Sequence, residues 1–411
     1  MKVLMLSWEF TPHIVGGLGK HVVEIVPELV AAGIEVHLVV PNLGGGAHTE
    51  PLLLPDGSPA TNGSRVYRVD ASGMQSDFFA NTWHDNILVT EFCHQLIKHV
   101  GGFDLIHDHD WLSGFAAIAL KREHRLPLLA TIHATEMGRN RGHLYADMQR
   151  SIHQAEWWLT YEAWRVIACS HYMAWEVETY FGTPQSKVDV IPNGVDPRPF
   201  DALKGHDLSA FRLAFAQPDQ PVVYYVGRIV PEKGLSVLVD AVPNVLREWS
   251  GVRFVIAGGG GYVNDLRAQA ERLGVAGSVN FAGRIPDEVR NGLFIVADCA
   301  VFPSLYEPFG IVALEAMAAD CPVVVSDVGG LSEVVEMHET GIKVYPNDPQ
   351  SLAWGILYTL QNPQWSRARV QNADRVVREQ YNWHRIAGMT VDVYNRIVRE
   401  AMSGDWAYRT D

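Results

Sequence analysis

The stretch VIPNGVDPRPF, residues 190–200, closes one series of strands and precedes the start of another. Pro192, Pro197 and Pro199 lack the N–H that a helix or a central strand needs, and Gly194 and Asp196 favour turns. A polar stretch follows as far as about Gln220, which places a hinge at 192–198. Upstream, short β-branched runs alternate with longer helical patterns, and strands are expected at Val3–Leu6, Val36–Val39, Leu105–His107, Leu128–Ile132, Val166–Ala168 and Val188–Ile191. Downstream the series restarts at Val222–Val226, Arg253–Ala257, Val279–Phe281, Cys299–Val301 and Pro322–Ser326. Such alternation marks parallel sheets wrapped by helices. The expected class is α/β, with two doubly wound domains over 1–195 and 196–382. The chain ends in helical patterns at 352–361, 365–380 and 384–402, the last expected to pack back across the hinge. Ligands of open α/β sheets lie beyond the carboxyl ends of the strands, so two such domains facing each other would hold a substrate in the cleft between them.

The 411 residues include 47% hydrophobic and 19% charged side chains, ample material for two cores. Thirty-three basic against 47 acidic residues leave a net charge of -14. That balance disfavours nucleic acid and stable association with an anionic membrane. Cys93, Cys169, Cys299 and Cys321 lie far apart without paired metal spacing, the pattern of a reduced, cytoplasmic chain. Glu9 interrupts the N-terminal segment before a secretory signal develops, and Glu315 breaks the most apolar stretch short of membrane-spanning length.

The first expected strand runs into SWEFTPHIVGGLGKHVVEI, residues 7–25. Gly16, Gly17 and Gly19 there would let backbone N–H groups meet an anion at a helix start; a plain tight turn is the alternative. In YYVGRIVPEKGL, residues 224–235, Arg228 follows a strand and Lys233 opens a helix, a pair able to bind a diphosphate or to stand as solvated surface cations. PSLYEPFGIVALEAMA, residues 303–318, separates Glu307 from Glu315 by seven residues. Pro308 keeps Glu307 out of the helix, while Glu315 sits on it among apolar neighbours and needs a partner, either sugar hydroxyls or an Arg. HDHDW, residues 107–111, places His107 and His109 on one strand face, but no further ligands complete a metal set. ATIHATEMGRNRGHL, residues 130–144, brings His133, Glu136, Arg139 and Arg141 to a strand end in a cluster too polar for a core. Trp157, Tyr161 and Trp164 form a helical stripe that reads as core. AGGGGY, residues 257–262, reads as a strand-to-helix loop rather than a dinucleotide fingerprint, since Val263 stands at the last glycine position.

Taken in order, GGLG, HDHDW, TIH, IPNGVD, GRIVPEKG, FAGRI, EPFGIVALEA, SDVGGLSEVV and YNWHRIA resemble the retaining, nucleotide-sugar-dependent glycosyltransferases of family 4, with a glycogen-synthase-like pattern. The resemblance implies the GT-B architecture, two Rossmann-like domains with a last helix, 383–402, crossing back to the first. It implies that Arg228 and Lys233 bind the donor diphosphate and that Gly16 and Gly17 approach it. Glu307 and the N–H groups of Phe309 and Gly310, with Ile311 after them, would hold the transferred sugar, and Glu315 the ribose. Main-chain groups near Arg284 and Ile285 would meet the base, His133 the sugar near its 6-hydroxyl, and Asp110 the sugar or acceptor, with Glu136 and Arg139 on the acceptor side. Ile14 stands where bacterial starch and glycogen synthases carry Lys, and the segment after Glu307 lacks their Cys.

The implied reaction moves a hexose, glucose by preference, from ADP- or UDP-glucose to a soluble α-glucan or glucoside without a required metal or cofactor. Alternatives are another sugar, a small-molecule or lipid acceptor, a nucleotide-sugar epimerase on the same architecture, and a two-lobed sugar-binding protein. The last needs neither the Arg and Lys pair nor the spaced glutamates.

Overall fold

The computed structural model describes residues 1–71 and 77–404. One sheet contains β1 (Lys2–Leu6), β2 (Glu35–Pro41), β3 (Thr49–Pro51), β4 (Arg65–Val69), β5 (Leu105–His109), β6 (Leu128–Ile132), β7 (Arg165–Ala168) and β8 (Val188–Val190). Their order is β3-β4-β2-β1-β5-β6-β7-β8, and only the β3/β4 pair is antiparallel. A second, wholly parallel sheet runs β11-β10-β9-β12-β13-β14. Its strands are β9 (Val222–Val226), β10 (Arg253–Ala257), β11 (Val279–Gly283), β12 (Cys299–Phe302), β13 (Val323–Ser326) and β14 (Ile342–Val344). The chain divides into two compact units, Met1–Asn193 with the segment starting at Trp383, and Gly194–Asn382.

Each sheet reverses its order once, between β1 and β5 in the first and between β9 and β12 in the second. These switch points open crevices at the carboxyl ends of the strands. The strands are near-continuous apolar runs, as burial on both faces demands; β1 from Val3 to Leu6 and β12 throughout are buried. In the first unit, Val22, Ile25, Val26 and Leu29 of the helix Gly17–Ala31 share a core with Ile386, Tyr394 and Ile397 of the C-terminal helix Trp383–Ser403. Each such aliphatic side chain contributes about 1.5–3 kcal/mol by leaving water, enough to hold the last helix on the first unit.

Three strands escape the sequence reading: β3, β4 and the three-residue β14. RVYRV of β4 alternates buried and half-buried positions, and its two arginines mask it as polar. Arg68 is nonetheless buried, donating to the carbonyls of Ala47 and Thr11 at 2.8 Å and pairing with Glu50 at 2.6 Å. The aromatic stripe is a correction. The helix Asp147–Glu162 ends before Trp164, and Trp157 and Tyr161 are 41% and 67% exposed. Ile152, Ala155 and Leu159 take the buried side instead, so Trp157 and Tyr161 mark the outward face, while Trp164 packs against the core of the first unit as expected.

Candidate active site

In the second unit the loops after β9 and β12 carry the charged groups. Arg228 lies just beyond β9, and Lys233 ends a short turn, Pro231–Lys233, ahead of the helix Leu235–Glu248. Gly234 adopts φ +66°, and a Cβ there would stand 1.9 Å from the carbonyl oxygen of Pro303. Only glycine lets the loop after β9 rest on the loop after β12 this closely. That contact delivers Lys233 Nζ to Glu307 Oε2 at 2.7 Å, where Ser304 Oγ also donates at 3.1 Å. Gly258 repeats the device, with its Cβ position 1.8 Å from the oxygen of Gly227, seating the loop after β10 against that after β9.

Arg228 points outward with its side chain 45% exposed and, among the described residues, a single ion pair at 3.5 Å to Glu232. The structure thus separates the two cations: Lys233 is paired and Arg228 is largely solvated. Phe309 and Gly310 immediately precede the helix Ile311–Ala318, on which Glu315 is buried with Arg290 Nη2 3.8 Å from its Oε1. Arg284 and Ile285 follow β11, Arg284 exposed and lying against Gly259.

In the first unit Asp110 follows β5 with φ +63° and ψ 173°. That region is close to glycine-only, costs on the order of 1–3 kcal/mol, and gathers at functional sites. Two bonds hold it there: Asp110 N–H donates to Thr131 O at 3.0 Å, and His133 N–H donates to Asp110 Oδ1 at 2.7 Å. Burial pushes the Asp110 carboxyl up to about 7 against the pull of that His133 N–H. His107 and His109 share a strand face, ring centroids 4.3 Å apart, while Asp108 turns toward Gly114. His107 bonds Tyr394 at 2.6 Å and Thr131 at 2.8 Å.

Sequence reasoning missed His21 and its partner Asn193. His21 Nδ1 lies 2.7 Å from Asn193 Oδ1, and its ring meets those of His109 and His133 at 5.4 and 4.8 Å. One nitrogen from each of His21, His109 and His133 can be chosen so that all lie within 4.8 Å of one another, the spacing of a potential metal site. Burial lowers His21 to about 4 and holds His109 and His133 well below the ordinary imidazole range. The hint in the sequence was that His21 comes two residues after the GGLG glycines.

Two expectations for this unit change. Oε2 of Glu9 accepts from the N–H groups of Val15 and Gly16 at 2.8 and 3.0 Å, so the anion met at the GGLG turn is a carboxylate of this chain. The 130–144 segment is polar yet partly buried: Glu136 accepts from Asn140 at 2.9 Å, and its own N–H donates to the buried Glu156 at 2.8 Å. Arg139 alone of this pair extends to solvent, its side chain 41% exposed.

Residues 211–376 match the family Glycosyl transferases group 1, and residues 15–199 match Glycosyltransferase Family 4. A glycogen synthase of Mycobacterium tuberculosis is 34% identical over 96% of this chain and 94% of its own. The chain is a family 4 glycosyltransferase of the GT-B fold. An uncharacterized glycosyltransferase of Methanocaldococcus jannaschii is 40% identical over 98% of this chain and all of its own. The sucrose-phosphate synthase of Thermosynechococcus elongatus has the same fold, with TM-score 0.83, 24% identity, and 97% and 99% of the two chains covered. This glycosyltransferase is therefore a nucleotide-sugar-dependent transferase. Among its described residues no helix is long and apolar enough to cross a membrane.

Proposed function

We propose that this glycosyltransferase moves a hexosyl group, glucosyl by preference, from a nucleotide diphosphosugar to a hydroxyl of a soluble α-glucan or glucoside, with retention at the anomeric carbon. The observation that carries the reading is the pairing of Lys233 with Glu307 at 2.7 Å across the loops after β9 and β12. A diphosphate beside Lys233 meets one positive charge already held in place, and the solvated Arg228 turns in to supply a second. A sugar beside Glu307 meets a carboxylate oriented to accept from vicinal hydroxyls. Phe309 and Gly310 N–H groups, with the start of the helix at Ile311, add donors and a favourable dipole. Glu315 is assigned to the ribose and the main chain at Arg284 and Ile285 to the base. Gly17 is assigned to the diphosphate side, and Asp110 and His133 to the transferred sugar. Arg139, anchored beside Glu136, is assigned to the acceptor.

In the step itself the bond between C1 and the phosphate oxygen breaks and a bond from C1 to the acceptor oxygen forms on the same face. The acceptor proton passes to the departing phosphate, whose charge Arg228 and Lys233 stabilise. Those cations and the helix N–H groups take the part that a divalent ion would otherwise play, so the reading requires no metal or other cofactor. The relationship to the mycobacterial glycogen synthase supports glucose and a glucan. A thermal-shift screen of ADP-glucose, UDP-glucose and their non-glucose counterparts tests the donor: one glucose donor should raise the unfolding midpoint of the wild type but not of Lys233→Ala. Equal shifts in both proteins would remove Lys233 from the donor site.

A further inference from the structure

We propose that His21, His109 and His133 form a binding site for a borderline-soft divalent cation such as Zn²⁺, and that filling it inhibits transfer. The inhibition rests on the sugar-binding part given above to His133; the binding does not. Three features of the first unit carry the proposal. The three side chains come from separate elements, the helix Gly17–Ala31, the end of β5 and the residue after β6, yet they place a nitrogen apiece within 4.8 Å of one another. His109 Nδ1 and His133 Nε2 are already 3.1 Å apart. Two ligands on a tetrahedral ion with bonds of about 2.0–2.1 Å stand about 3.3 Å apart, so His109 and His133 already stand near ligand spacing and His21 closes on them from within 4.8 Å.

The second feature is the unpaired second nitrogen of His109. His109 is fully buried, and its Nε2 has no hydrogen-bond partner among the described residues. With Nε2 unpaired the ring can carry its proton there, which leaves the Nδ1 lone pair facing His133 Nε2 at 3.1 Å, and an ion between the two takes the place of the proton they share. The third is orientation. Asn193 Oδ1 accepts from His21 Nδ1 at 2.7 Å, which leaves the lone pair on Nε2 and fixes the ring. Ligating histidines carry this kind of outer partner, and losing it typically weakens metal binding about 10–100-fold. Imidazole sets select Zn²⁺, Cu²⁺ or Ni²⁺ over Mg²⁺, which prefers oxygen. His133 is the least buried of the three, at 9%, and offers the way in. An ion there takes the nitrogen that would otherwise face the sugar.

The test uses the full chain, freed of metal by chelator and titrated with CoCl₂, then with ZnCl₂. Binding should produce the visible band of four-coordinate Co²⁺, which Zn²⁺ displaces. His21→Gln and His109→Gln should each abolish the band, Asn193→Ala should weaken affinity about 10–100-fold, and His384→Gln, whose side chain is 88% exposed, should change nothing. Zn²⁺ should suppress glucosyl transfer, and EDTA should restore it. No band in the wild type would overturn the site, as would a band that survives in folded His21→Gln and His109→Gln. Should those variants fail to fold, an Asn193→Ala protein with wild-type affinity would overturn it equally. A displaced band with unchanged transfer would overturn the inhibition alone. Because the band is read without any sugar substrate, a chain that binds Co²⁺ yet transfers nothing would refute the proposed function and leave the site standing.

Discussion

At Lys233 a single charge serves two partners, the Glu307 carboxylate in the structure and a donor diphosphate in the proposed reaction. Lys233→Ala and Arg228→Ala should each lower kcat on the order of 10²-fold or more, because each removes a positive charge from the leaving group; steady-state kinetics with saturating donor would show it. Near-wild-type turnover in both would contradict the assignment. Asp110 allows a sharper contrast. Asp110→Gly and Asp110→Ala delete the same carboxylate, but only glycine tolerates φ +63° without strain. The glycine variant should therefore be the more stable of the two by about 1–3 kcal/mol in urea unfolding, with both impaired in transfer. The positions of Arg228, Lys233 and Glu307 in the loops after β9 and β12 were legible because each follows a strand whose apolar run marks it. The strain at Asp110 and the meeting of His21 with His133 were not, since they depend on backbone geometry and on elements far apart in sequence.

The helix Trp383–Ser403 shows how an element remote in sequence supports site residues. Tyr394 OH lies 2.6 Å from His107 Nδ1, beneath the strand end that presents His109 and Asp110. Tyr394→Phe leaves that buried nitrogen without its partner and should cost about 1–3 kcal/mol. Ile397→Ala opens a cavity in the core shared with the first helix and should cost about 2–5 kcal/mol. Thermal or urea unfolding of both variants reads these losses; unchanged stability would show that the helix does not hold the first unit's core. The period of its apolar residues made this helix legible. β4 was hidden because RVYRV satisfies its arginines through partners at Thr11, Ala47 and Glu50, which no local pattern reveals. The stripe at Trp157 and Tyr161 misled for the reverse reason: periodicity identifies a face of a helix, not which face is buried.

At the scale of the molecule, the break at 190–200 made two doubly wound units legible, and the switch points of their sheets locate the loops that carry the charged groups. The identity of the sugar and acceptor lay beyond that reading, because hydroxyl recognition depends on a few hydrogen bonds whose partners are not spaced regularly in sequence. The net charge of -14 opposes attraction to an anionic bilayer, which supports the proposed acceptor in solution. Transfer measured after exhaustive treatment with EDTA should be no lower than before; complete loss, restored by Mg²⁺ or Mn²⁺, would contradict leaving-group stabilisation by Arg228 and Lys233. The most direct test supplies radiolabelled ADP-glucose or UDP-glucose with glycogen, maltooligosaccharides and a membrane lipid extract, locates the label, and reads the anomeric configuration of the product by NMR. The account predicts label in the carbohydrate fraction with an α-linkage from an α-configured donor; label confined to the lipid fraction, a β-linked product, or no transfer from either glucose donor would contradict it.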